Sequence, residues 1–344
     1  MRVCWIGLGG ILLFLPASPL LAEPRLPEVS KVYDTLTVYW ENDAFAGTDR
    51  DYTNGLRFTW STPYRVDPND ARLPGWSRPW LEKIPGGNPG EGRAVALSFG
   101  QSIFTPSNIN RDQFDPNDRP YAGYSYLAAG FHNRSPRVKT SWEFQAGVVG
   151  PLSFAEQTQN YTHDLMGNHR AKGWEHQLNN EPILEVICER HWLLLHADDV
   201  NGFVFDLIPH LGGQLGNAAT LVNAGGELRF GWNIPHNFGV CPIRGGCESN
   251  SAFADSKPPA GFSSTYLFLA TDGRWVLHNI FLDGNSFGDG ARVERTPLVA
   301  DFMAGIAVQY GMGRMTYSYV YRTREFQAQD RQQLFGALSF SWTY

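Results

Sequence analysis

Cysteine is scarce, with four residues among 344, too few for a scaffold held together by disulfides. Cys4 lies in the leading segment, and Cys188 sits in a strand pattern where a lone thiol is expected to be packed rather than reactive. Cys241 and Cys247 frame a loop and could pair in an oxidising compartment. Positive charge is in deficit too, with 28 Lys and Arg against 34 Asp and Glu for a net charge of -6. A mildly acidic chain is not built to bind nucleic acid. After the first 22 residues no apolar run comes near the ~20 residues of a transmembrane helix, and mean hydropathy is -0.30. These absences leave a membrane barrel open, because barrel strands are short and half polar. No G-x-S-x-G elbow occurs, and Ser107, Ser125 and Ser153 have no sequence partner that marks one as a nucleophile. Internal repeats, low-complexity tracts and a second domain boundary are also missing.

What is abundant is aromatic: 11 Trp, 14 Tyr and 22 Phe, with 36 Gly. Aromatic girdles at both faces of a bilayer account for that excess; a large periplasmic β-sandwich is the competing architecture. Arg2, the apolar run Ile6 to Leu15 and the small Ala22 form a secretory signal over residues 1–22, leaving 23–344 as one outer-membrane barrel domain. Runs of period 2 fall at 35–41, 56–61, 94–101, 121–132, 139–149, 183–194, 202–213, 220–232, 263–282, 298–310, 315–324 and 334–344. Roughly 12 strands result, the even number that a bacterial single-chain barrel needs. The last run alternates Leu338, Phe340, Trp342 and Tyr344 with small polar residues and ends on an aromatic, as exported barrels commonly do. The expected fold class is all-β, a transmembrane antiparallel barrel. With residue 23 on the periplasmic side, the connections 43–52, 102–120, 150–181, 215–218, 283–295 and 325–332 face the cell exterior. The long connections 63–93 and 233–260 face inward, and the first is expected to hold one short helical turn.

Two stretches concentrate chemistry. The first hairpin carries Asn42, Asp43, Asp49, Asp51, Thr53 and Asn54 between two alternating strands, a dense supply of the hard oxygen ligands that calcium takes. Tight turns use the same residues for their own geometry. Alternation puts Asn42 in the lipid-facing row of Leu36, Val38 and Trp40, and Asn54 in that of Leu56, Phe58 and Trp60. The other stretch, 150–181, reads as a helix with a capping box at Ser153 and Glu156. Gln159 and His163 lie four apart, so a helix sets both on one face. A neutral His there could take a proton from water; a packing role is the plainer alternative.

Several separated pieces then resemble one family, the outer-membrane lipid A 3'-O-deacylases. They are Asn42-Asp43, DYTNG at 51–55, TPSN at 105–108, DRPYAGY at 118–124, Gly150-Pro151, and the Q-N-x-x-H run of Gln159, Asn160 and His163, followed by Trp174. All are collinear across most of the chain. The resemblance implies a 12-stranded barrel, Ca2+ dependence, and hydrolysis of the 3'-linked acyloxyacyl ester of lipopolysaccharide by a histidine-activated water. His163 becomes the general base with Gln159 beside it, and Asn42, Asp43 and Thr53 form the calcium and oxyanion side. Arg111 and Arg119 are expected to meet a sugar or phosphate of lipid A in the outer leaflet. The family's best-known type has a carboxylate six residues beyond the catalytic His; this chain has His169 there, with Asp164 as a nearby substitute. An oligomer is not implied, and the sequence sets no oligomeric state. A channel, a non-enzymatic lipopolysaccharide-binding barrel and an outer-membrane phospholipase are the alternatives.

Overall fold

The computed structural model describes residues 34–46, 51–86, 91–167, 169–198, 201–240, 262–288 and 290–344. The expected signal segment, Asp49, Arg50 and the Cys241 and Cys247 pair lie outside these residues. The strands are β1 (Thr35–Asn42), β2 (Asp51–Ser61), β3 (Gly92–Thr105), β4 (Ala122–Arg134), β5 (Val138–Val149), β6 (Glu181–Trp192), β7 (Leu195–Asp198), β8 (Phe203–Gly216), β9 (Ala219–Trp232), β10 (Phe262–Asn279), β11 (Leu298–Tyr310), β12 (Gly313–Arg322) and β13 (Gln333–Thr343). Twelve of them close a single antiparallel barrel, sealed where β1 pairs with β13 and β6 with β8. The thirteenth, β7, pairs only with Val204 to Leu207 of β8, below the part of β8 that β6 reaches. The expected strand count therefore holds for the wall.

The wall is apolar outside and polar inside. Thr35, Thr37 and Glu41 of β1 are buried towards the lumen, and hydroxyls bond across the seam at Thr35–Thr343 and Thr37–Ser341, each 3.1 Å. Buried ion pairs cross the interior, Arg57 to Glu143 at 3.0 Å and Arg229 to Asp206 at 2.5 Å. Outside, Leu127, Leu184 and Leu215 are 66%, 71% and 69% exposed. In water each would forgo about 1–2 kcal/mol of burial, and such residues recur around the wall. That pattern suits a bilayer and excludes the β-sandwich, whose core is apolar. Cys188 is free and half-buried, in the same outward row of β6 as Leu184 and Val186.

The end at which β1 stops is called the upper end here. At the lower end, α1 (Arg78–Lys83) supplies the expected helical turn, and its Trp80 stacks on Phe131 at 6.0 Å. Residues 233–240 turn into the lumen, where Arg229 donates to the Asn237 carbonyl at 3.1 Å and Val240 N–H to Glu227 at 2.8 Å. The upper mouth is filled by Phe104 stacked on Phe281, centroids 4.2 Å apart. A single long β10 gives way to the short helix α3 (Ile280–Asp283).

Candidate active site

One rung of the outer wall organises the upper end. The register pairs Gly336 with Asn42, Asn42 with Asn54, Asn54 with Ile103, and Ile103 with Gly123; Gly150 N–H then bonds to Gly123 O at 3.0 Å. Because side chains alternate along each strand, every member of this rung faces away from the lumen. Both ends are glycine for the same reason. A Cβ on Gly336 would lie 2.5 Å from Phe45 Cβ, and one on Gly123 would lie 2.2 Å from both Ala155 Cβ and Ser153 Oγ. A loop element packs on the wall at each end, and only glycine leaves room for it.

The first element is the turn Asp43–Ala46. Its Phe45 meets Trp40 edge-on at 4.9 Å, and Trp40 Nε1 donates to Asn54 Oδ1 at 3.0 Å. Asn42 and Asp43 are thereby buried although they adjoin the lipid-facing row. Two oxygen-bearing side chains buried next to each other have the donor chemistry a hard divalent cation needs. The ladder shifts between Tyr52 and Asn54, so Thr53 is an extra residue in β2 opposite β3; its side chain lies outside the described residues. Among the described residues no three His, Cys, Asp or Glu side chains form a metal cluster.

The second element is α2 (Ala155–Met166). The expected capping box does not form. Ser153 belongs to the tight turn before the helix, and its hydroxyl donates to Gly150 O at 2.6 Å, while Phe154 occupies the N-cap with φ 58°. Ser153 anchors the helix through its main chain: its carbonyl accepts from Gln101 Nε2 at 2.7 Å and Ser125 Oγ at 2.8 Å, both in the row just below the rung. From there α2 packs on β4 and β3.

Ala155, Gln159 and His163, spaced four apart, form the buried face of α2, which bears out the shared face expected of Gln159 and His163. His163 Nδ1 lies 2.6 Å from the carbonyl oxygen of His169. Only an N–H can meet a carbonyl, so in the neutral ring Nε2 is left with a free lone pair. Gln159 Oε1 accepts from Trp174 Nε1 at 2.9 Å, and Trp174 packs on Tyr121 at 4.9 Å. That bond fixes the amide's orientation and leaves Gln159 Nε2 buried without a partner among the described residues. A basic nitrogen and an orphan donor thus sit one helical turn apart, on a helix docked outside the barrel.

Residues 10–344 match the model of the family described as outer membrane protein LpxR. The chain belongs to that family. Among solved structures it is similar to LpxR from Salmonella typhimurium, at 16% identity and a TM-score of 0.72, with 90% of this chain and 100% of that one covered. The β domain of the Bordetella autotransporter BrkA aligns at 9% identity and a TM-score of 0.44, covering 92% of this chain and 99% of that one. No curated protein matches the chain. The LpxR family is the lipid A 3'-O-deacylase family that the motifs resemble, and the solved structure shares the barrel fold.

Against the site expected from the LpxR family, three residues take different places. His169 contributes its carbonyl oxygen, not a side-chain ligand, to His163. Asp164 is exposed and held by Arg170 at 2.9 and 2.5 Å; that hydrogen bond holds its carboxyl below the usual range and leaves it off the face that carries His163. Arg119, expected to contact the substrate, is fully buried, pairs with Glu325 at 3.3 Å and lies over the lumen-facing ring of Phe104 at 5.1 Å. Arg111 stays half-exposed beside Asp115 at 2.6 Å, in a cavity of about 140 Å³ with Asn108, Phe114, Tyr121 and His176. Gln101, Gly123 and Ser125, which hold the helix, carry no chemistry of their own. Only the YAGY sequence hinted at Gly123, since a glycine inside a strand marks close backbone approach.

Proposed function

We propose that the chain is a lipid A 3'-O-deacylase of the bacterial outer membrane, with the upper end facing the cell exterior. The observation that carries the reading is the arrangement on α2: His163 with Nδ1 committed to the His169 carbonyl, one turn from the partnerless Gln159 Nε2. His163 Nε2 takes a proton from a water, and the water oxygen attacks the carbonyl carbon of the ester. The negative charge that forms on the carbonyl oxygen needs a donor waiting for it; Gln159 Nε2 and the Asn42 amide are the candidates. Collapse expels the sugar-side alkoxide, which takes the proton back from His163, so the products are the fatty acid and the sugar alcohol, with one water consumed. Asp43, with Asn42 and Thr53, would hold Ca2+, which when bound supplies a Lewis acid at that oxyanion.

The elements that carry the two halves dock at the two ends of one rung, Phe45 at Gly336 and Ala155 at Gly123. Three strand spacings from β1 to β4 come to ~14 Å, and His163 stands eight residues, or ~12 Å, along α2 from Ala155. Docked at β4 and leaning onto β3, α2 is long enough to bring His163 towards β2 and β1. Arg111 is assigned to a phosphate or sugar of the lipid. The buried ion pairs and the inward-turned residues 233–240 favour an enzyme over a channel. The test is mass spectrometry of lipid A from cells expressing the chain, beside a His163→Ala variant that still inserts. Loss of the mass of the acyloxyacyl unit, abolished in the variant, is expected. Unchanged lipid A with calcium supplied overturns the reading, and fatty acid released from phospholipid instead points to a phospholipase.

A further inference from the structure

We infer that α2 lies on its side within the leaflet at the upper end of the barrel, with a fixed strip of its surface in contact with acyl chains. At about 100° per residue, α2 divides into three sectors. Ala155, Gln159 and His163 face the barrel wall. Glu156, Gln157, Asn160 and Asp164 form a polar sector on one side of it. On the other side run Tyr161 and Leu165, 66% and 70% exposed, in line with Phe154 at 60%. The polar pair is turned inward and the large apolar groups outward, the reverse of a helix that packs on a protein core in water.

Phe154 adds a separate argument. It is one of two non-glycine residues with positive φ among the described residues, a conformation that bulky side chains rarely take. In water the strained position would gain nothing, since the ring it sets outward stays exposed. In a leaflet the same conformation places the ring in hydrocarbon.

The occupant follows from continuity with the lipid-facing wall. α2 is fastened at Gly123 and Ser125 of β4, and the next outward residue of that strand is Leu127, one of the most exposed on the wall. Two residues of strand span ~7 Å, so the start of the helix adjoins the lipid belt directly. A helix with one polar and one apolar flank, tangent to a membrane wall, has the form of an interfacial helix. This inference rests on the barrel's place in the outer membrane and not on the deacylase reading.

The test uses the full chain with Cys4, Cys188, Cys241 and Cys247 replaced by Ser, reconstituted in phosphatidylcholine vesicles. A bimane label is attached through Leu165→Cys, through Tyr161→Cys as a second position, and through Gln157→Cys as the polar control. The expected result is quenching of the 165 and 161 labels by doxyl-labelled phosphatidylcholine with protection from iodide, and the opposite for 157. Iodide quenching of 165 and 161 equal to that of 157 overturns the inference. Protection that rises with protein-to-lipid ratio but ignores doxyl lipid also overturns it, and assigns the strip to a second copy. Neither readout depends on whether lipid A is cleaved.

Discussion

Gly123→Ala is the smallest change that separates the barrel from its site. The new Cβ would stand 2.2 Å from Ala155 Cβ and from Ser153 Oγ, where carbon atoms pack at ~3.5–4.0 Å. Strand β4 is held by full ladders to β3 and β5, so the helix must give way, by about 1.5 Å. Overpacking of this kind costs roughly 1–3 kcal/mol locally, which a twelve-strand wall tolerates. The site does not tolerate it, because a displacement of ~1 Å in a catalytic group can cost about a hundredfold in rate. The variant should therefore run as a folded, heat-modifiable barrel on a gel while its deacylation rate, followed by mass spectrometry of lipid A in detergent micelles, falls about a hundredfold. Ala155→Gly in the same chain removes one of the two clashes and should recover part of the loss. A folded Gly123→Ala protein with activity close to that of the unaltered chain would refute the claim that docking at this glycine positions His163.

The other expectations are shorter. Trp174→Phe keeps the ring against Tyr121 but removes the N–H that holds Gln159 Oε1, leaving a buried acceptor at a cost of ~1–3 kcal/mol; turnover should drop about tenfold or more, with a far smaller change in KM, in the micelle assay. His169→Ala should keep both activity and calcium requirement, since His169 acts through its main-chain carbonyl, whereas Asp43→Asn should raise the calcium needed for half-maximal rate; a shifted calcium titration in His169→Ala would make the side chain a ligand after all. Arg119→Ala should lower resistance to thermal unfolding modestly, because Glu325 loses its partner at 3.3 Å but keeps Arg322 at 3.7 Å, and should leave KM for lipid A unchanged. A raised KM in a fully stable Arg119→Ala protein would show the substrate role.

What could be read from the sequence was what local period determines. Leu338, Phe340, Trp342 and Tyr344 alternate with Ser339, Ser341 and Thr343 whatever lies elsewhere, so the strands and their two faces were legible. Gln159 and His163 share a helix face by the same kind of arithmetic. The direction of Arg119 was not legible because it is set by Glu325, 206 residues further along, and nothing in DRPYAGY announces which side of the wall its side chain takes. Ser153 resembled a cap because cap motifs are judged by residue type, while the true geometry depends on the positive φ angles of Gly150 and Phe154. The partners of His163 and Gln159 were hidden for a related reason: one is a main-chain carbonyl, which every residue possesses, and the other comes from 15 residues away in a loop without period.

The rung also gives a reason for the proposed chemistry to sit outside the barrel. A lipid's ester lies at the edge of the hydrocarbon layer, and the lumen is already filled by ion pairs such as Arg57 to Glu143 and Arg229 to Asp206. Bringing an ester inside would break such pairs, at several kcal/mol for each partner left alone. Placing polar groups on the outer wall avoids that cost but exposes them to lipid, where an unpartnered polar group is equally unfavourable. Phe45 over Gly336 and α2 over Gly123 resolve the conflict, since each covers its end of the rung with a loop element while the strands stay continuous. Covering has a consequence of its own: whatever covers a polar rung in a membrane must be polar beneath and apolar above. That is the pattern of α2, with Gln159 and His163 against the wall and Tyr161 and Leu165 turned away from it.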